Sequence, residues 1–259
     1  MTRYRLTLAY DGTAYAGWQI QPGHSTVQQV LQDALKRLTG ETVIVHGSGR
    51  TDTGVHARGQ VAHLDVERSD PLEEVLRRGM NAVLPADIRV LDARRAGAGF
   101  HARRSAVSKE YRYCIWNAEV VPPFLRCYRT PVRDPLDTDA MARAAAMLVG
   151  RHDFAAFTAN PNRLVETTIR RLFALTVRRR GPDIAIVAKA DGFLYKMVRS
   201  LAGFLIRVGE GAVPPETAAA VLTSKVRTAR VPTAPPQGLF LWKVNYRGAA
   251  GSAALADGE

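Results

Sequence analysis

The chain has 259 residues, 46% of them hydrophobic, and its 36 Lys and Arg outnumber 24 Asp and Glu for a net charge of +12 and a pI near 10.2. This length suits one large domain or two modest ones, and no run of about 18 apolar residues is present to cross a bilayer. Cys114 and Cys127 have neither metal-like spacing nor the density of a disulfide framework, which predicts a reducing, cytoplasmic setting. Because arginine dominates the basic set, a polyanionic partner is expected; a solvated, arginine-biased surface is the alternative.

Residues 1–12 lack the apolar core of a secretory signal. Tyr4, Leu6, Leu8 and Tyr10 alternate with Arg5, Thr7 and Ala9, the pattern of a half-buried strand. Asp11-Gly12-Thr13 reads as a turn and 17–23 as loop. Ser25 or Thr26 can cap a helix carrying Val27, Leu31, Ala34, Leu35 and Leu38 at helical spacing, with Gly40 stopping it. A strand is expected over Thr42 to Val45, then a glycine-rich segment, then an alternating strand over Gln60 to Val66. A helix over Leu72 to Val83 closes before Pro85.

A second unit begins near Ser105. Its strand over Lys109 to Trp116 sets Tyr111, Tyr113 and Ile115 on one face, and a proline-bearing connector follows to Pro135. A helix is expected over Thr138 to Val149. Strands over Leu172 to Arg178 and Ile184 to Ala190 flank a turn, and helices over Leu194 to Val208 and Pro214 to Thr223 precede a last strand over Leu239 to Tyr246. Residues 248–259 are small and polar, without period, and read as a disordered tail. Strict strand–helix alternation is absent. The predicted fold class is α+β: two α/β domains, 1–104 and 105–247, with antiparallel sheets backed by helices.

The segment Gly49-Arg50-Thr51-Asp52-Thr53-Gly54-Val55-His56 is polar and glycine-flanked between two strands, where backbone can bend sharply and hold a side chain outward. On residue types alone Asp52 reads either as a turn former or as a catalytic carboxylate. The run GRTDTGVHARGQVAHLD closely resembles the catalytic motif of the tRNA pseudouridine synthase A family. Further segments agree in the family's order: Tyr10-Asp11-Gly12-Thr13, Gly17-Trp18-Gln19, Lys109-Glu110-Tyr111-Arg112-Tyr113, Phe193-Leu194-Tyr195-Lys196-Met197-Val198-Arg199 and Pro236-Gln237-Gly238-Leu239-Phe240-Leu241. The resemblance spans residues 4–247. The chain departs from it near Tyr195 and Lys196, where the family usually shows histidine.

The resemblance implies two α/β domains with a basic catalytic cleft between them, a homodimer, and no metal or cofactor. It implies isomerisation of uridine to pseudouridine at positions 38, 39 and 40 of the tRNA anticodon stem-loop. It also implies roles: Asp52 as the essential nucleophile, Arg199 as its ion-pair partner, Arg50 in base flipping, and Tyr111 and Leu239 as contacts to the flipped uracil. Four of these have a structural alternative: Asp52 as a turn aspartate, Arg199 as a solvated helix arginine, Tyr111 as an inward strand tyrosine (the reading given to Tyr113) and Leu239 as a core leucine. The chemistry suits the residue types, because a carboxylate can capture the sugar or attack the base and a stacked uridine must leave the helix to be reached. His46, His56, His63, His101 and His152 show no zinc-enzyme spacing. The paired arginines at 94–95, 103–104, 170–171 and 178–180 are candidates for phosphate contacts. Two other classes stay open: a noncatalytic RNA-binding or chaperone protein, which has no need of a cleft carboxylate, and a base glycosylase, which would release free base.

Overall fold

The computed structural model describes residues 1–67, 72–159 and 166–247; the tail read as disordered lies outside them. The first half contains β1 (Thr2–Tyr10), α1 (Val27–Thr39), β2 (His46–Gly47), β3 (His56–Val66), α2 (Met80–Val83) and β4 (Ile88–Arg95). The second contains β5 (Ala106–Asn117), β6 (Thr130–Val132), α3 (Thr138–Leu148), β7 (Gly150–Asp153), β8 (Ile169–Arg180), β9 (Asp183–Ala190), α4 (Met197–Gly209), α5 (Thr217–Ser224) and β10 (Leu239–Tyr246).

The strands form one sheet among the described residues, in the order β4-β1-β3-β10-β5-β9-β8-β7, with β2 added to β3 and β6 to β5. Neighbours are antiparallel except β10 beside β3 and β6 beside β5. The fold is thus α+β with a large, mostly antiparallel sheet, and the sheets expected for the two halves are continuous through β10. A row of buried residues crosses this junction, because directly paired residues point to the same face: Tyr10 faces Ala57, Ala57 faces Leu241, Leu241 faces Tyr111, Tyr111 faces Ala188, and Ala188 faces Leu175.

Local sequence explains most elements. In β1 every even residue from Thr2 to Tyr10 is buried and the odd ones are partly exposed, as the alternation requires. Helix α1 starts at the Thr26 cap and ends at Gly40, whose φ of 76° suits glycine. The strand expected over Thr42 to Val45 appears at His46–Gly47 instead. Val43 and Val45 are buried, but side chains of α1 take the backbone bonds: Gln32 accepts from the Val45 N–H at 3.1 Å and Gln28 donates to the Val45 carbonyl at 2.8 Å. The helix expected over Leu72 to Val83 contains a π-helical stretch, Val75–Gly79, before α2. Helix α4 begins at Met197, three residues after its expected start, because Lys196 has φ 55°. Helices α3 and α4 pack on each other, α3 over β8 and α4 over β5.

Candidate active site

The glycine-rich segment links β2 to β3 and lies where the two halves of the sheet meet. Its shape is set by backbone and side chains from three directions. Gly17, in the loop after β1, has φ 89°, and a Cβ there would sit 2.5 Å from the Thr51 carbonyl; no other residue permits that approach. The Trp18 N–H donates to the Thr51 carbonyl at 3.1 Å, the Tyr10 hydroxyl lies 2.8 Å from Thr51 Oγ1, and the Gly54 N–H donates to the Tyr15 carbonyl at 3.3 Å. Burial pushes the Tyr10 phenol up to about 12, so it stays a neutral hydrogen-bonding group. The loop closes on itself through the Val55 N–H and the Asp52 carbonyl at 3.1 Å.

His56 ties this loop to a distant connector. The Cys127 carbonyl, 2.9 Å from Nε2, can only accept, so Nε2 carries the proton and Nδ1 accepts from the Gly12 N–H at 3.0 Å. Burial lowers the affinity of His56 for a proton and outweighs the opposing charge of Asp11. The Tyr128 hydroxyl donates to Asp11 at 2.7 Å, so the connector docks at two adjacent points.

Thus placed, Asp52 is partly exposed, its side chain 24% accessible. Arg199, two residues into α4, approaches from the other half: Nη1 donates to Asp52 Oδ2 at 3.2 Å and Nε donates to the Ala234 carbonyl at 2.7 Å. The Arg199 side chain is only 11% exposed, so the solvated alternative does not describe it. Arg50 is exposed. Tyr111 lies on β5 beside the loop, buried, with its ring edge-on to Phe193 at 5.0 Å between centroids. Burial raises the affinity of its phenol for the proton, and Tyr10 and Asp52 add to this. Leu239 is buried opposite Tyr113 at the start of β10. Tyr113 is wholly buried and bonded to Thr130 and the Pro235 carbonyl, a packed strand tyrosine.

The structure therefore brings Asp52 and Arg199 into contact and lines Tyr111 and Leu239 along adjacent strands at the same junction. Sequence reasoning missed Gln60, Lys109 and Thr51, which hold the loop. Gln60 stands inside an alternating strand and gives no polar-site signal on its own; its side chain accepts from the Gly49 N–H at 3.4 Å and donates to the Gly49 carbonyl at 2.7 Å. Of the paired arginines, Arg179 is engaged with the Leu136 carbonyl and Asn117, and Arg170 with the carbonyls of Thr167 and Ile169. Arg103 and Arg104 are exposed. Among the described residues no group of three or more His, Cys, Asp or Glu could hold a metal ion, and no helix is long and apolar enough to cross a membrane.

A family model described as tRNA pseudouridine synthase matches residues 7–103 and 144–247. The chain is 48% identical to tRNA pseudouridine synthase A of Pelobacter propionicus over 95% of its own length and all of the relative's. It is 46% identical to the protein of that name from Moorella thermoacetica, over 93% of this chain and 98% of the relative. For the one from Brevibacillus brevis the figures are 44%, 95% and 100%.

Proposed function

The chain belongs to the tRNA pseudouridine synthase family, and from that premise we propose that Asp52 carries out the isomerisation with Arg199, Arg50, Tyr111 and Leu239 around it. The enzyme is an isomerase that converts uridine in tRNA to pseudouridine. In balance, the N1–C1′ bond breaks, the uracil turns, a C5–C1′ bond forms, and one proton leaves C5 while N1 gains one. A carboxylate serves this by bonding to the sugar or base, or by taking a proton. The observation that carries the assignment is the 3.2 Å contact between Asp52 and Arg199, which joins the loop of one half to a helix of the other where Asp52 remains open to solvent.

In this reading the target uridine leaves its stack and Arg50, exposed two residues before Asp52, enters the vacated space. The uracil meets Tyr111 and Leu239, an aromatic and an apolar wall; stacking on an aromatic ring contributes about 1–3 kcal/mol per base. Arg199 holds the carboxylate in position through its own anchor at Ala234. The substrate sites are tRNA positions 38, 39 and 40 in the anticodon stem-loop, the working form is a cytoplasmic homodimer, and the domain division falls between residues 104 and 105. Family resemblance supports these finer assignments.

The test is incubation with unmodified tRNA followed by chemical mapping of pseudouridine, with Asp52→Asn in parallel. The wild type should modify the anticodon arm without releasing uracil. Asp52→Asn should leave tRNA affinity nearly intact and yield no product, because binding is spread over many phosphates. Turnover of Asp52→Asn within tenfold of wild type would remove Asp52 from the chemistry, and free uracil would make the protein a glycosylase.

A further inference from the structure

Lys109 projects from β5 on the face that carries Tyr111 and Tyr113, since residues two apart in a strand share a face. Its ammonium donates to the Ser48 carbonyl at 2.5 Å, and a Cβ on Gly49 would lie 3.4 Å from Lys109 Nζ and 3.5 Å from the Tyr111 hydroxyl. Gln60 grips the same short stretch through both backbone groups of Gly49, and the Ser48 N–H donates to the Val61 carbonyl at 2.7 Å. The stem of the loop is thus held from β3 on one side and by Lys109 on the other. Arg50 follows at once and Asp52 two residues later.

A lysine is an expensive choice for a peg. The residue is half-buried, and no carboxylate forms an ion pair with its ammonium among the described residues. Its ladder neighbours Val244 and Ala190 are apolar, Tyr111 is a neutral phenol, and the adjacent Glu110 pairs with Arg112. The charge that acts on it, that of Arg103, is of its own sign. Burial with this repulsion lowers Lys109 to about 8. A charge-assisted hydrogen bond to a carbonyl is stronger than a neutral one.

We propose that the Lys109 ammonium is a positioning group: it fixes the Ser48–Gly49 stem so that Arg50 and Asp52 stand where the flipped nucleotide needs them. The inference rests on the pseudouridine synthase reading and names a residue of that same site which does not itself touch the reacting atoms.

Lys109→Met and Lys109→Arg would be compared with wild type on unmodified tRNA by single-turnover rate at saturation, tRNA dissociation constant, and the pH profile of kcat/KM, which reports ionisations of the free enzyme. Lys109→Met should lower the saturating rate at least tenfold while affinity changes less than threefold. Wild type should lose kcat/KM as pH rises through about 8, where the ammonium gives up its proton. In Lys109→Arg, whose guanidinium stays charged, that decline should move to higher pH and much of the rate should return. A Lys109→Met rate within twofold of wild type overturns the proposal, as does a basic limb that Lys109→Arg leaves in place. Should Lys109→Met fail to fold, the limbs of wild type and Lys109→Arg decide alone, and a wild type with no decline near pH 8 is itself a negative answer. An inactive wild type would instead count against the enzymatic assignment.

Discussion

Arg199 bonds a carboxylate and a backbone carbonyl at once, through Nη1 to Asp52 and Nε to Ala234. The planar fork makes this possible; a lysine has the charge without two fixed, divergent donors. Arg199→Ala should therefore reduce the single-turnover rate at saturating tRNA by about a hundredfold, the scale seen when one preorganised electrostatic donor is removed, with little change in affinity. Arg199→Lys should recover part of the loss. An Arg199→Ala enzyme with a normal saturating rate but weakened, less salt-sensitive binding would show that the guanidinium serves RNA phosphate instead. Asp52 was legible as a candidate because a long motif surrounds it, and Arg199 because a second motif ends on it. Gln60 and Lys109 were not, since their importance lies in which backbone atoms they meet.

At the scale of elements, β2 and the turn after β4 converge on β3 through three imidazoles. His63 stacks on His46 at 4.8 Å and lies 4.6 Å from His101, and its Nδ1 accepts from the Ala102 N–H at 3.2 Å. Burial, then His101, His46 and Arg3, lower His63 to about 4, against an opposing Asp65. Its folded value is below the ordinary 6.5, so the unfolded chain takes up the proton more readily. The associated stability is complete above pH 6.5 and is lost as pH falls toward 4. The melting temperature should drop by several degrees between pH 6.5 and 4.5, and His63→Gln, neutral throughout, should lessen that drop. Equal declines in the two proteins would place the acid sensitivity elsewhere.

The same strands show what a linear reading can and cannot reach. Alternation located β1 and most of β3, since one face of each is buried. It overlooked β4, where Asp92, Arg94 and Arg95 obscure the pattern set by Ile88 and Val90, and the short β6 and β7, too brief for a period. The strand expected at Thr42 to Val45 had the right apolar residues, but glutamines from α1 satisfy its backbone. Lys196 in a left-handed conformation delays α4, a departure that no propensity of lysine announces.

For the whole molecule, the net charge of +12 and the exposed Arg50, Arg103 and Arg104 imply binding that releases many counterions. A plot of log affinity for tRNA against log salt should be steeper than about −4, equivalent to more than about four phosphate contacts at ~0.9 per contact. A flat plot would mean that the positive surface is idle in binding.

The seam at β10 has a consequence for the making of the enzyme. This strand is late in the sequence yet sits at the middle of the sheet, beside β3 and β5. A ribosome delivers residues in order, so β1, β3 and β4 can assemble while β5, β8 and β9 are still emerging, and the two groups of strands cannot become one sheet until Leu239–Tyr246 has cleared the exit tunnel. Until then Asp52 and Arg199, 147 positions apart, belong to two separate sheets with raw strand edges on β3 and β5, open to pairing with a neighbouring nascent chain. The final strand thus acts as a completion check: a polypeptide cut short before residue 239 would carry the whole glycine-rich motif and still lack the strand that joins β3 to β5.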